Sequence, residues 1–216
     1  MTPERIEKFR KVVSKRQHDM TVILENVHDQ HNIGAVMRTC DSIGIHEIFI
    51  LQTDENLQFS NLALGKRTSA GTRRWVDVHY FTNRAACFKI VREKCQQVFA
   101  TYLDADAVSL HDLDMTQPIA LLFGNEKEGV TPETLALCDG NFIIPQMGLV
   151  QSLNISVACA VSLYEALRQR KSANMYNEIA VEDFSTQKKA LYDLYKSRHE
   201  GKYEIKKVLP SKFDLS

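Results

Sequence analysis

Asn141–Arg170 reads NFIIPQMGLVQSLNISVACAVSLYEALRQR and carries no charged residue from Asn141 to Tyr164. Phe142-Ile143-Ile144 is a short β-like run that Pro145 stops, because proline has no N–H to give to a sheet. A polar loop from Gln146 to Asn154 follows, and then an apolar helical run whose last turn is basic. So long an uncharged stretch raises the question of a membrane span. Pro145, Gly148 and the polar set Gln151, Ser152, Asn154, Ser156 and Ser162 argue against one, since lipid leaves such groups unsatisfied. The better reading is a buried strand, a loop, and a helix packed into the core on most of its faces. A polar loop just before a helix can hold a polar ligand through its amides. It can equally be an ordinary strand-to-helix connection, and this segment alone leaves both open.

The preceding chain sets the context for that segment. Thr21–Val27 (TVILENV) reads as a buried strand, followed by a polar turn His28–His31 and a helix from Asn32 to about Ser42. Glu47–Leu51 (EIFIL) is the next strand, which completes a βαβ unit. Further strands are expected at Val76–Phe81, Gln97–Leu103 and Ile119–Phe123, and helices at Arg84–Lys94 and Pro132–Cys138. The alternation implies an α/β fold with a mainly parallel sheet and helices on both faces. Ahead of this core, Thr2 is a good N-cap with Pro3 at the first helical position, and Ile6, Phe9 and Val13 share one face. Beyond it, Ala173–Tyr176 reads as a linker and Ile179–Arg198 as a second amphipathic helical region. Gly201–Ser216 is polar and is expected to order only where it touches something. The expected organisation is a basic N-terminal helix over 1–18, a core over 19–172 and a helical extension over 173–216.

With 216 residues and 44% hydrophobic content, the chain can bury a full core. Basic and acidic residues balance at 27 each, so no global field marks a nucleic-acid binder. The balance conceals clusters: Arg5, Lys8, Arg10, Lys11, Lys15 and Arg16 at the start; Lys66, Arg67, Arg73 and Arg74; and a run of bases from Lys188 to Lys207. Clustered bases in a neutral protein suit a polyanion face, while any one cluster alone is also what a solvated helix face looks like. The five cysteines form no C-x-x-C pair and no zinc spacing, which implies a reduced protein without a bound metal. With no apolar leader after Met1, the expected location is the cytoplasm.

In an open α/β sheet, ligands sit beyond the carboxyl ends of the strands. Asn26–Asn32, Thr101–Asp106, Gly124–Gly129 and Gln146–Asn154 occupy that position. Arg38, set among Val36, Met37 and Cys40, is either functional or a snorkelling surface arginine. The Gly124-Asn125-Glu126-Lys127-Glu128-Gly129 loop allows close backbone approach to a ligand, but it is neither a phosphate P-loop nor G-x-G-x-x-G.

Three segments together resemble a known family. They are Asn32-x-Gly34-Ala35-x-x-Arg38-Thr39, then Leu121-Leu122-Phe123-Gly124-Asn125-Glu126-x-x-Gly129, then Ile144-Pro145-x-x-Gly148-x-x-x-Ser152-Leu153-Asn154-x-Ser156-x-Ala158. In order and spacing they resemble the three motifs of the SpoU branch of the SPOUT RNA methyltransferases, over about Thr21 to Arg170. The likeness is nearest to the TrmH type, tRNA guanosine 2′-O-methyltransferases that act in the D-loop.

The resemblance implies a C-terminal trefoil knot, a homodimer with the active site at the subunit interface, and S-adenosylmethionine as methyl donor. It implies that Thr101, Gly124, Ile144 and Leu153 line the adenosine pocket, and that Asn32, Arg38, Glu126, Ser152 and Asn154 are the functional polar positions. Arg38 is then the group that activates the ribose 2′-hydroxyl. Because a guanidinium resists deprotonation, stabilising the developing alkoxide or holding a phosphate suits it better than acting as a base. Arg5, Arg10, Arg16, Arg73, Arg74, Arg168 and Arg170 are the candidates to grip RNA phosphates. Methylation of ribosomal RNA or of the tRNA wobble position, a non-catalytic RNA-binding protein on the same fold, and a flavodoxin-like nucleotide binder are the competing readings.

Overall fold

A computed structural model of the chain describes residues 1–54, 71–150 and 152–201. Lys66, Arg67, Gln151, Lys202, Lys206 and Lys207 fall outside the described residues. Seven strands form one sheet: β1 (Met20–Glu25), β2 (Glu47–Leu51), β3 (Asp77–Phe81), β4 (Gln97–Thr101), β5 (Val108–Ser109), β6 (Ile119–Phe123) and β7 (Gly140–Ile143). Their order is β3-β2-β1-β6-β4-β7-β5, and every pairing is parallel. The helices are α1 (Pro3–Ser14), α2 (Gln30–Ile43), α3 (Arg84–Arg92), α4 (Pro132–Leu135), α5 (Ile155–Ser172) and α6 (Thr186–His199).

The central strands are apolar on both faces, as a sheet covered on both sides requires. Val22, Leu24, Leu121 and Phe123 point to one core with α2 and α5, while Ile23, Ala120 and Leu122 point to the other with α3. The period of two along each strand thus feeds two separate hydrophobic layers. A third cluster joins Phe9 and Val13 of α1 to Leu191, Tyr192 and Tyr195 of α6, with Trp75 packed against it.

Local chemistry sets the helix ends. Thr2 accepts from the Arg5 N–H at the start of α1, with Pro3 in the first turn. Asp29, not a residue of the expected Asn32 start, caps α2, accepting from the His31 N–H at 2.7 Å. Gly44 ends α2 in the left-handed region (φ 96°), where a Cβ would lie 2.5 Å from the Lys15 carbonyl oxygen.

Beyond shifts of one or two residues at element ends, the expected elements differ from the observed ones as follows. Helix α4 stops at Leu135 rather than Cys138. The helical region expected over Ile179–Arg198 is a 3-10 turn, Val181–Asp183, followed by α6, because Ser185 caps a fresh start. Strand β5 is an addition of two residues. Helix α5 is not surrounded by core: Ile155, Cys159, Leu163 and Ala166 face inward, whereas Val157, Val161 and Tyr164 stand exposed at positions i, i+4 and i+7. Among the described residues no helix is long and apolar enough to cross a membrane.

Candidate active site

Strand order fixes where a site can form. From β1 the chain steps outward through β2 to β3, and β6 returns to pair with the other edge of β1. The loops after β1 and β6 therefore part at a topological switch point, the usual ligand crevice of an open parallel sheet. A cleft of about 760 Å³ opens beside it, between the loops after β6, β4 and β7. Thr101, Gly124, Ile144 and Leu153 all line it, as do Glu126 and Ser152.

The loop after β6 is a closed hairpin. Asn125 and Gly129 exchange backbone hydrogen bonds at 3.0 and 2.9 Å, and Asn125 Oδ1 accepts from the Lys127 N–H at 2.8 Å. Gly129 adopts φ 72°, which favours glycine. A Cβ at Gly124 would sit 2.2 Å from the Gly129 carbonyl carbon and oxygen. Only glycine lets the two strands of the hairpin close this far.

Three of the predicted polar residues form one hydrogen-bonded chain across the switch point. Asn32 Nδ2 donates to Glu126 Oε1 at 2.5 Å, and Asn154 Nδ2 donates to Asn32 Oδ1 at 3.3 Å. Asn154 Oδ1 also caps α5, accepting from the Ser156 N–H at 2.9 Å and from Ser156 Oγ at 2.6 Å. Each segment of the three-part motif therefore contributes one side chain to a single network. Ser152 is exposed at the cleft. Arg38 stands apart: it is exposed on α2 and does not line the cleft. One turn further along α2, Ser42 Oγ lies 3.4 Å from the exposed Tyr164 hydroxyl. Arg38 thus shares a surface with the uncovered apolar stripe of α5.

Sequence reasoning did not single out Asn26, which organises the loops beneath this network. It holds φ 52° at the end of β1, a left-handed conformation that asparagine tolerates better than most residues. Its Oδ1 accepts from Gln52 Nε2 at 3.1 Å and from the Thr53 N–H at 2.8 Å, and its carbonyl accepts from Asn125 Nδ2 at 2.8 Å. Next to it, Glu25 is fully buried. It accepts from the Thr131 N–H at 2.9 Å, from Thr131 Oγ1 at 2.8 Å and from Thr134 Oγ1. Together they pin the loops after β1, β2 and β6 to one another. An asparagine at a strand end was the signal available.

The candidate RNA contacts divide sharply. Arg170 is fully buried, donating to Met115 O at 2.7 Å, Gln17 Oε1 at 2.9 Å, Asp19 Oδ1 at 2.6 Å and Gln117 O at 2.8 Å. It is a core anchor and cannot reach an RNA phosphate. Arg16 is also buried, with both terminal nitrogens committed to Asp41 and Ile45. Arg10 is held by Glu7 and by the Ile179 carbonyl, and Arg74 by the Arg198 carbonyl. Arg5 and Arg73 are half-buried, and Arg168 is exposed beside Glu165. Burial of an arginine needs several acceptors converging from distant segments, which no local pattern of bases reveals.

All five cysteines are free, and four of them are buried. Burial pushes the Cys87 and Cys95 thiols up to about 12, so they behave as small apolar groups. Among the described residues no group of three or more His, Cys, Asp or Glu side chains is gathered as a metal site would require.

The sequence profile of the SpoU rRNA Methylase family matches residues 19–164. The tRNA (guanosine(18)-2′-O)-methyltransferase of Thermus thermophilus is 42% identical over 176 residues, covering 82% of this chain and 88% of that protein. The Escherichia coli protein of the same name is 39% identical over 82% of this chain and 75% of its own length. The crystal structure of the Aquifex aeolicus TrmH/SpoU tRNA modifying enzyme superposes with a TM-score of 0.77 at 30% identity, covering 93% of this chain and 98% of that one. An AdoMet-bound rRNA methyltransferase from Sinorhizobium meliloti superposes with a TM-score of 0.59 at 28% identity, over 74% of this chain and 59% of that one. With one side chain of each motif segment joined at a switch point of a parallel sheet, the chain belongs to the SpoU methylase family.

Proposed function

We propose that the protein transfers a methyl group from S-adenosylmethionine to the ribose 2′-hydroxyl of guanosine 18 in the D-loop of tRNA. The observation that carries this reading is the Asn154–Asn32–Glu126 chain, which ties all three motif segments to the edge of one cleft. The residues present fit the cofactor. The cleft combines close-packed glycine backbone at Gly124 and Gly129 with apolar walls from Ile144 and Leu153, as an adenosine held largely by backbone groups requires. When bound, S-adenosylmethionine supplies an electrophilic methyl group whose departure leaves a neutral thioether.

The protein's own task is the other reactant. A 2′-hydroxyl is a poor nucleophile, so holding it in line provides much of the acceleration. Asn32, Ser152 and Asn154 supply donors and acceptors to orient the ribose. Glu126, fixed by Asn32, keeps the hairpin in register with the loop after β1. Arg38 stabilises negative charge as it develops on the 2′-oxygen.

Arg38 does this from a partner subunit. Its exposure beside Val157, Val161 and Tyr164, with Met147, Leu149 and Val150 also exposed, supports a homodimer that covers this apolar surface and brings Arg38 towards the partner's cleft. On this reading α5 follows a loop threaded as a trefoil knot. The cytoplasm is the proposed location, and Arg5, Arg73 and Arg168 the proposed surface contacts to phosphate.

The test is methyl transfer from labelled S-adenosylmethionine into bulk tRNA, with nuclease mapping of the label and Arg38→Ala alongside. Label at the D-loop guanosine ribose, lost in the variant, supports the reading. Transfer to ribosomal RNA alone would keep the chemistry and move the substrate, and absence of transfer to either would sink it.

A further inference from the structure

We propose that a second cavity, on the α1/α6 side of the molecule, is a subsite for one unpaired nucleotide of the substrate RNA. This rests on the RNA-methylating reading above and adds to it a contact outside the cleft. The cavity measures about 250 Å³. Arg5, Lys8 and Phe9 of α1, Arg16, Trp75 and Tyr195 of α6 line it, and Asp41 of α2 closes it. Asp41 and Asn32 lie nine residues apart on α2, so about 14 Å of helix separates this cavity from the cleft network.

Its chemistry has two parts. The floor is aromatic: Phe9 and Trp75 have ring centroids 5.4 Å apart, and Trp75 meets Tyr195 edge-on at 5.2 Å. Two guanidinium groups lie over that floor, Arg5 at 5.0 Å from the Phe9 ring and Arg16 at 5.5 Å from the Tyr195 ring. The Nε atoms of both arginines are buried without a hydrogen-bond partner. Arg16 is itself 2% exposed, with its remaining donors committed to Asp41 and Ile45. Lys8 is exposed. The single acidic residue, Asp41, is already engaged by Arg16 at 2.5 Å, so the free donors in the lining are cationic.

A purely apolar occupant would leave the Arg5 and Lys8 charges unanswered, and a bare anion would leave the ring floor unused. A nucleotide uses both. Its base stacks on the Trp75 side of the floor or on a guanidinium plane, while its phosphate meets Lys8. Only a base outside a duplex can enter, so the occupant comes from a loop or another single-stranded region.

Trp75 is the sole tryptophan of the chain and reports directly on stacking. The full-length protein is titrated with unmodified tRNA transcript while Trp75 emission is followed, and the same RNA is used for methylation kinetics. Saturable quenching is expected. Arg5→Gln and Lys8→Gln should each reduce the quench and raise KM for RNA about five- to tenfold with kcat held. Lys89→Gln, on the exposed face of α3, should leave the quench amplitude intact, and cofactor affinity and circular dichroism show whether each variant is folded.

Absence of quenching by an RNA that is methylated, or an unchanged KM in both variants, would overturn the proposal. Quenching by adenosine 5′-monophosphate that RNA does not displace would also overturn it, by marking a free-nucleotide site. If the wild type methylates no RNA, the proposed function fails instead, and quenching by RNA still decides the subsite separately.

Discussion

Replacing Arg170 by alanine separates a structural from an RNA-binding role more cleanly than any other change. The guanidinium makes four hydrogen bonds, to Met115 O, Gln17 Oε1, Asp19 Oδ1 and Gln117 O. At a net ~1 kcal/mol each the loss would be about 4 kcal/mol. Removal of one partner from a buried charge pair gives about 3–5 kcal/mol by a separate route. The Asp19 side chain is 36% exposed, so water partly replaces its lost partner and about 3–4 kcal/mol is the expectation. For a chain of this size that corresponds to a fall in Tm of roughly 6–16 °C at 2–4 °C per kcal/mol. Arg168→Ala is the control. Its side chain is 65% exposed and pairs with Glu165 three residues away, an arrangement worth about 0.5 kcal/mol. Urea unfolding of both variants at one protein concentration, with KM for RNA measured on the same samples, gives the comparison. The reasoning fails if Arg170→Ala unfolds within 1 kcal/mol of wild type and instead raises KM, since the guanidinium would then be facing RNA.

Gly124→Ala forces a methyl group against the Gly129 backbone at 2.2 Å and should weaken S-adenosylmethionine binding by at least about tenfold; calorimetric titration showing wild-type affinity would contradict the closed hairpin. Asn26→Gly keeps the φ 52° backbone accessible while Asn26→Ala does not, so the alanine variant should be the less stable by about 1 kcal/mol, with kcat reduced in both because both lose the Gln52 and Thr53 bonds. Burial, with the Lys188 charge adding to it, pushes His18 down to about 4, and burial pushes His46 down to about 3. Below the ordinary histidine value of 6.5 the unfolded chain takes up protons that the folded one refuses, so stability should fall as pH drops from 6.5 through about 4. His18→Gln with His46→Gln should flatten that slope in unfolding midpoints, and a wild type indifferent to pH over this window would refute the assignment.

The layered sheet was legible because the strands carry their own signal. Glu47–Leu51 and Ile119–Phe123 match to the residue, each an apolar run between polar turns, the first led by Glu47. Strand β5 was not, since Val108 and Ser109 alone hold no period to recognise. The cleft residues Ile144 and Leu153 could be named only through the family likeness, since an isoleucine before a proline and a leucine in a polar loop advertise nothing by themselves. Arg170 was misread because a base in the last turn of a helix is also what the helix dipole favours on a surface. The groups that bury it, from Gln17 to Gln117, are separated from it by 53 to 153 residues, and that convergence is a property of the fold alone. The same applies to Asn26, whose partners at 52, 53 and 125 come from two other loops.

Asn154 starts α5 with its carbonyl oxygen and reaches Asn32 with its amide nitrogen. Whoever needs an inactive protein that still holds its RNA, for trapping a complex or for a dominant-negative control, should therefore leave this position alone. An inert variant made there would lose a helix cap as well, and its poor behaviour could not be assigned to chemistry. Under the role proposed for it, Arg38, exposed on the middle of a helix whose ends are fixed by Asp29 and Gly44, is the place to silence the protein while keeping its architecture.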